Sequence, residues 1–300
     1  MKRLSIIIVT YHSEKDIYDC LASVWRFCDI PKEELEVIIV DNSPISEPMF
    51  SRLQDLYGND IQLIHNTHNG GYGQGNNVGI QQANAPTILV MNPDVRLSEP
   101  VFLHATSQFE NNPRLVLYGF TQRQANGRIG RSFSCVSTLH PYLAEPLRFF
   151  AGKLNLFFPK YMYVTGACFF MRKESIIKAG LFDEQIFMYG EEEDIHNRLL
   201  ALPQAEMGYD RGHSYLHLHE EKNDFSDKNH TWMERYLESL FITNEREGIP
   251  REKTIKWAIK RNNISIWKET LIYFLTAGRN LSRLTYYREW KKQLHSKLNT

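Results

Sequence analysis

Cysteine is scarce in this 300-residue chain, and the four present, Cys20, Cys28, Cys135 and Cys168, form no C-x-x-C pair. That density fits no disulfide scaffold, so reduced thiols in a cytosolic protein are expected. No apolar run approaches the ~20 residues of a membrane span. The stretch 4–9 after Met1-Lys2-Arg3 is too short for a secretory leader and stops at Tyr11-His12-Ser13-Glu14-Lys15. Charge of one sign is missing too, since 35 Lys and Arg balance 35 Asp and Glu. Repeats and low-complexity tracts are absent, as is a Ser-His-Asp or Cys-His constellation for covalent catalysis. What is present is 42% hydrophobic and 12% aromatic, a globular composition. It has room for one α/β domain of roughly 200–250 residues plus an appendage.

The first hundred residues alternate β-rich runs at 4–9, 35–40, 61–65 and 87–91 with helical patterns at 16–27, 49–57 and 74–83. This predicts a mostly parallel, Rossmann-like sheet covered by helices on both faces. A further strand is expected at 116–120, a loop or hairpin at 121–137, and a buried strand at 163–172 whose Gly166 permits close approach. Residues 137–162 carry little pattern and read as an acceptor-side insertion. Helical periodicity returns at 232–245, 253–260 and 264–298, with a break near Gly278. The expected division is a catalytic domain at 1–230 and a basic helical extension at 231–300.

Ligands of such sheets sit beyond the carboxyl ends of the strands. Those ends carry Thr10-Tyr11-His12, Asp41-Asn42-Ser43, the loop from Asn66 to Gly75 and Asn92-Pro93-Asp94. Asp and Asn are common turn formers, so each group alone has an ordinary explanation. The four together point to a site. The loop Asn69-Gly70-Gly71-Tyr72-Gly73-Gln74-Gly75-Asn76-Asn77 lacks G-x-G-x-x-G spacing and G-K-[ST]. It precedes a helix start expected at 74–77, where Asn76 and Asn77 either cap the helix or, with Asn69 and Gly71, face a bound anion.

Pro93 delivers Asp94 at a fixed angle. That carboxylate suits Mg2+ or Mn2+ on a diphosphate, or else belongs to a type I turn. The run Glu191-Glu192-Glu193-Asp194 complements a helix dipole, and Asp194 and Arg198 are spaced for an ordinary surface pair. An apolar run precedes it, so at least one carboxylate of the run is expected to face a cleft, where a general base would sit, and Glu191, Glu192 and Asp194 are the catalytic candidates. His213, His217 and His219 alternate onto one face if extended, and one of them is a candidate metal ligand.

The segments S-I-I-I-V-T-Y at 5–11, V-I-I-V-D-N-S at 37–43, N-G-G-Y-G-Q-G-N-N-V-G-I at 69–80 and I-L-V-M-N-P-D-V at 88–95 occur in a recognisable order. G-A-C-F-F-M-R at 166–172 and G-L-F-D-E-Q-I-F-M-Y-G-E-E-E-D at 180–194 follow. Together they resemble inverting family 2 glycosyltransferases with a GT-A fold, especially the bacterial rhamnosyltransferase-like branch. The resemblance implies that Asp41 contacts the donor's base or ribose and that Thr10 and Tyr11 line the nucleotide site. It implies Asp94 as metal ligand, Asn92 at the place of a first acid, Glu192 as base with Glu191 beside it, and His217 near metal and diphosphate. Three departures stand out. His12 replaces the usual Asn, Glu192 the usual Asp, and Glu220-Glu221 the usual glycines, which leaves His219 competing with His217.

The expected activity is therefore metal-dependent transfer from a UDP- or dTDP-sugar to a hydroxyl of a growing, lipid-linked bacterial surface glycan. A nucleotidyltransferase and a catalytically inactive sugar-nucleotide-binding protein are the alternatives. From Arg251 to Thr300, twelve basic residues face three acidic ones, a net +9 interleaved with seven aromatics. This suits either a helical surface on an anionic membrane at the cytoplasmic face or a solvated basic face packed on the catalytic domain. No nucleic-acid reader module accompanies the charge.

Overall fold

The computed structural model describes residues 1–44, 48–218, 225, 230–276 and 279–299. Strands β1 (Leu4–Thr10), β2 (Leu35–Asp41), β3 (Gln62–His65) and β4 (Thr87–Met91) form at the four expected runs. Helices α1 (Glu14–Arg26), α2 (Pro48–Tyr57) and α3 (Tyr72–Gln82) lie between them in sequence. β1 pairs in parallel with β2 on one side and β4 on the other. Leu4, Ile6 and Ile8 join one core and Ile7 the other, as a strand covered on both faces requires.

The chain continues through β5 (Val95–Leu97), α4 (Phe102–Asn111), β6 (Leu115–Gln124), β7 (Phe133–Cys135), α5 (Pro141–Leu154) and β8 (Met162–Val164). Then come β9 (Cys168–Arg172), α6 (Lys173–Lys178), α7 (Glu191–Leu200) and β10 (Glu206–His217). The main sheet has the order β3-β2-β1-β4-β9-β6-β10-β5. β9 runs antiparallel to both β4 and β6, and β5 antiparallel to β10. The remaining pairs of the sheet are parallel.

The strand expected at 163–172 is two strands. β8 pairs with β7 in a separate two-stranded sheet, and the chain then turns through 165–167 to enter β9. The unpatterned stretch 137–162 contains α5, which begins on Pro141 and carries Pro146 inside it. An interior proline removes a helical N–H and reads as a breaker, which hid the helix. The stretch 121–137 is the end of β6, a turn closed by a bond from Gln124 N to Arg128 O, and β7.

Beyond residue 230 the chain forms α8 (Thr231–Arg246), α9 (Arg251–Leu275) and α10 (Leu281–Asn299). α9 runs unbroken through 261–263, where a gap was expected, and the polar Asn262 there is buried and donates Nδ2 to Tyr287 O of α10 at 2.8 Å. The expected break is at 276–280, and Gly278 itself lies outside the described residues. Leu237, Ile255, Ile259, Trp290 and Leu294 make a small core of their own. Arg246 of α8 reaches Asp183 and Asp194, and Arg261 of α9 donates to Ser137 O.

Candidate functional site

β1 lies between β2 and β4, so the strand order reverses at β1, and the carboxyl end of such a strand is where ligands of these sheets bind. Thr10 and Asp41 end the two adjacent strands and are both fully buried. Asp41 Oδ1 accepts from Thr10 Oγ1 at 3.0 Å and from Ser43 Oγ at 2.8 Å. Asp41 Oδ2 is buried with no hydrogen-bond partner, an acceptor left for a donor group that a ligand would bring. Tyr11 stands 53% exposed at the rim. His12 follows with a left-handed φ of 51°, its N–H bonded to Ser43 Oγ.

The glycine loop is laced rather than loose. Asn69 Oδ1 accepts from Gly71 N at 3.1 Å, Asn42 Nδ2 donates to Gly71 O at 3.0 Å, and Asn66 Nδ2 bridges Asn42 Oδ1 and Gln74 Oε1. Gly71, at φ 93°, precedes α3, so the helix starts at Tyr72 and not at 74. Neither Asn76 nor Asn77 caps it. Asn76 donates back to Tyr72 O, while Asn77 Nδ2 bonds Phe182 O and Glu184 Oε1 and its Oδ1 accepts from Phe182 N. Buried Asn77 thus clamps α3 to the 182–184 segment; the donor contact expected of it would need those bonds broken.

β5 turns back to pair with β10, and this register sets Asp94 beside His217, with His217 Nε2 3.1 Å from Asp94 Oδ2. His217 Nδ1 and Asn92 Oδ1 are both buried without a hydrogen-bond partner. A carboxylate, an imidazole and an idle amide oxygen at one strand end fit the donor set of a divalent cation completed by diphosphate and water. His213 does not join them. It sits at a register shift in β10 and bonds Asp210 instead. His219, with Glu220 and Glu221, lies outside the described residues.

The acidic run divides between two tasks. Glu193 is fully buried, accepts from Ser137 N, and receives Tyr236 Oη at 3.4 Å; burial pushes its carboxyl up. Asp194 is buried against Arg198, at 2.5 Å, and Arg246, so the surface pair expected with Arg198 is an interior one. Both of its oxygens are taken by these arginines, and it is committed to packing rather than offered to a substrate.

Glu191 is also buried, whereas Glu192 is partly exposed and lies against Gly166, where an added Cβ would fall 2.1 Å from Glu192 Oε1. Tyr72 Oη donates to Gly166 O at 2.6 Å. Burial, then the charges of Glu192 and Glu191, push that phenol well above its ordinary range, so it remains a donor. One step along the chain, Ala167 O accepts from Asn92 N at 2.8 Å. The metal-type end and the Glu192 end therefore share the short segment 165–167.

His196 follows on the same helix, buried, with its Nε2 2.8 Å from Pro159 O. Burial lowers its pKa to about 4, which keeps it neutral. Tyr72, Asn66 and Gln74 were not singled out from the sequence, although their place in the glycine loop was visible. Tyr236 and Arg246 carried no local signal, because their partners are more than forty residues away.

The chain is 29% identical over 200 residues to the low-salt glycan biosynthesis hexosyltransferase Agl10 of Haloferax volcanii, covering 63% of this chain and 59% of that protein. It is 29% identical over 131 residues to the poly(ribitol-phosphate) beta-N-acetylglucosaminyltransferase TarS of Staphylococcus aureus, covering 43% of this chain and 22% of TarS. The matched stretch spans less than two thirds of either relative. Among solved structures, TarS 1–349 in complex with UDP superposes with a TM-score of 0.56 at 16% identity, over 97% of this chain and 92% of that one. The mannosyltransferase PcManGT from Pyrobaculum calidifontis, in complex with GDP-Man and Mn2+, gives 0.61 at 14%, over 98% and 84%. These likenesses show a GT-A-like fold. Residues 5–180, more than half of the chain, match the family model for glycosyl transferase family 2, and the chain belongs to that family.

Proposed function

We propose that this protein transfers a hexosyl or rhamnosyl group from a nucleoside-diphosphate sugar to an acceptor hydroxyl, with inversion at the anomeric carbon. The observation that carries the reading is the shared segment 166–167, since Glu192 packs against Gly166 and Asn92 N bonds Ala167 O, and it supports a common site for the two ends. Thr10, Tyr11 and Asp41 take the base and ribose, and the Asn69–Gly71 loop faces the donor. The donor is a UDP- or dTDP-sugar in this reading, and TarS, solved with UDP, supports it.

Asp94 and His217, with Asn92 beside them, would hold Mg2+ or Mn2+, as the Mn2+ complex of PcManGT supports. Such a cation supplies charge neutralisation for the departing diphosphate. Glu192 takes the acceptor's proton as the hydroxyl oxygen attacks the face opposite the leaving group. Tyr72 holds Gly166 O, and through it the space in which Glu192 sits. The reading assigns 1–230 to catalysis and 231–300 to a basic extension.

Asp94→Asn is expected to weaken binding of the donor diphosphate with metal by at least the roughly 10–100-fold that loss of a mere supporting partner costs a metal site. Binding of the bare nucleoside should hardly change. Equal losses for both ligands in calorimetry would remove Asp94 from the diphosphate end. Release of nucleoside diphosphate that needs metal and acceptor separates transfer from nucleotidyl transfer and from binding alone.

The acceptor in this reading is a lipid-linked bacterial glycan, met at the cytoplasmic surface of the membrane. Support comes from the C-terminal half of α9 and its neighbour α5, joined by Lys268 and Glu145. Phe149, Phe150, Trp267, Phe274 and Leu275 all stand more than 60% exposed there. Tyr286 and Trp290, by contrast, are buried against His230, so the tail's aromatics divide between packing and surface. Exposed rings beside lysines and arginines match an anionic interface, where each basic residue contributes ~1 kcal/mol. The triple variant Phe150→Ser, Trp267→Ser, Phe274→Ser should lose sedimentation with anionic vesicles while keeping donor affinity. Vesicle binding as strong as that of the unaltered chain would refute this surface.

A further inference from the structure

α4 and the irregular part of β10 meet at three side chains that the proposed reaction does not use. His104 Nε2 lies 3.3 Å from Asp210 Oδ2, and His213 Nδ1 lies 2.5 Å from the same oxygen. The two imidazoles are tilted face to face with centroids 4.7 Å apart. One ligand atom from each residue falls within 4.8 Å of the others, the only such group of three among the described residues.

The carboxylate is held in advance. Asp210 Oδ1 accepts from Gly212 N at 2.6 Å and from His213 N at 3.3 Å, which leaves Oδ2 turned to both rings. That arrangement follows from the register shift between Asp210 and Ser214, which bends the strand and puts residues 210 and 213 side by side. Tyr118 Oη of β6 lies 3.1 Å from His104 Nε2, a bond that the metal-free ring makes and that an ion on Nε2 would displace. His104 is 39% and His213 29% exposed at the side chain, so an ion has a path in, while Asp210 is nearly covered at 12%.

We propose that His104, Asp210 and His213 form a second metal site, chemically distinct from the one at Asp94, which takes a divalent transition ion of the zinc class. Two imidazoles and one carboxylate, with an open fourth position for water, are a zinc donor set, whereas the Asp94 end offers a single imidazole among the described residues. Ligand atoms around a tetrahedral zinc with bonds near 2.0–2.1 Å stand about 3.3 Å apart. The His104–Asp210 separation already has that value, and the His213–Asp210 pair opens to it by exchanging a hydrogen bond for a shared ion. The site lies about 13 Å along β10 from His217, at about 3.3 Å per residue. Bound zinc ties α4 to the bulge and braces the strand that presents His217.

The test is calorimetric titration of the full chain with Zn2+ in excess Mg2+, with Co2+ as a visible-absorption probe of tetrahedral geometry. One equivalent of Zn2+ should bind to the unaltered chain and, with affinity kept within about threefold, to Asp94→Asn, His217→Ala. His104→Ala, His213→Ala should weaken it at least a hundredfold and abolish the tetrahedral Co2+ bands. The single variant His104→Gln, at the most exposed ligand, should lose at least tenfold and serves if the double variant is unstable. Unchanged Zn2+ affinity in the His104 variants, or its loss in the Asp94, His217 variant alone, would overturn the proposal.

Discussion

Replacing Glu192 with glutamine should lower kcat by roughly 10²–10⁴ while donor affinity changes little. Glutamine keeps the shape that fits against Gly166 and removes only the capacity to take a proton. A sugar hydroxyl is a poor nucleophile, so a step that needs deprotonation at the moment of attack loses most of its rate. Glu191→Gln is the discriminating companion. Glu191 is buried beside Glu192 at the first turn of α7, and its loss should cost much less. A large effect at 191 with none at 192 would move the base by one residue. The product anomer, read by NMR, should be inverted relative to the donor, and retention would exclude a single displacement.

Gly71→Ala should destabilise the fold by about 4 kcal/mol, combining the strain of a left-handed φ with overpacking, each costing roughly 1–3 kcal/mol. Gly71 sits at φ 93°, and a Cβ there would fall 1.8 Å from Phe187 O, the carbonyl to which Tyr72 N bonds at 3.3 Å. Backbone occupies that space, so no side-chain rotation relieves the clash. Gly152→Ala is the control, since its Cβ would meet nothing within 4 Å in a helix. Chemical denaturation should show a lowered midpoint for the first and an unchanged or raised one for the second. Equal midpoints would mean that the loop re-forms without its contact to residue 187.

Strands β1, β2 and β4 were legible because each is a short aliphatic run buried on both faces, flanked by turn residues, whereas β3 is a partly exposed strand marked mainly by its place in the alternation. Pro93 marked Asp94 as a candidate, the apolar run marked the acidic group at 191–194, and only the family resemblance singled out Glu192 within it. What escaped notice depends on distance along the chain. Asn77 looked like a cap or a ligand because its partner Phe182 lies 105 residues away. Asp194 looked like half of a surface pair because Arg246, 52 residues on, could not be foreseen. His213 and His217 shared a face by alternation until the bulge in β10 separated them, and local composition announces no such shift. α5 was hidden by a proline that tertiary packing tolerates.

The division of the acidic run has a consequence for anyone recombining this protein with its relatives. Within two successive residues, α7 turns from the crevice to the C-terminal helices: Glu192 lies at Gly166, while Glu193 and Asp194 are satisfied by Tyr236 and Arg246 of α8. Leaving a buried charge without its partner typically costs 3–5 kcal/mol. A chimera that exchanges everything after residue 230 therefore inherits an electrostatic seam inside α7, the helix that carries the proposed base. The natural crossover unit couples residues 193–198 of α7 to α8, so C-terminal helices exchanged between family members have to travel with part of α7.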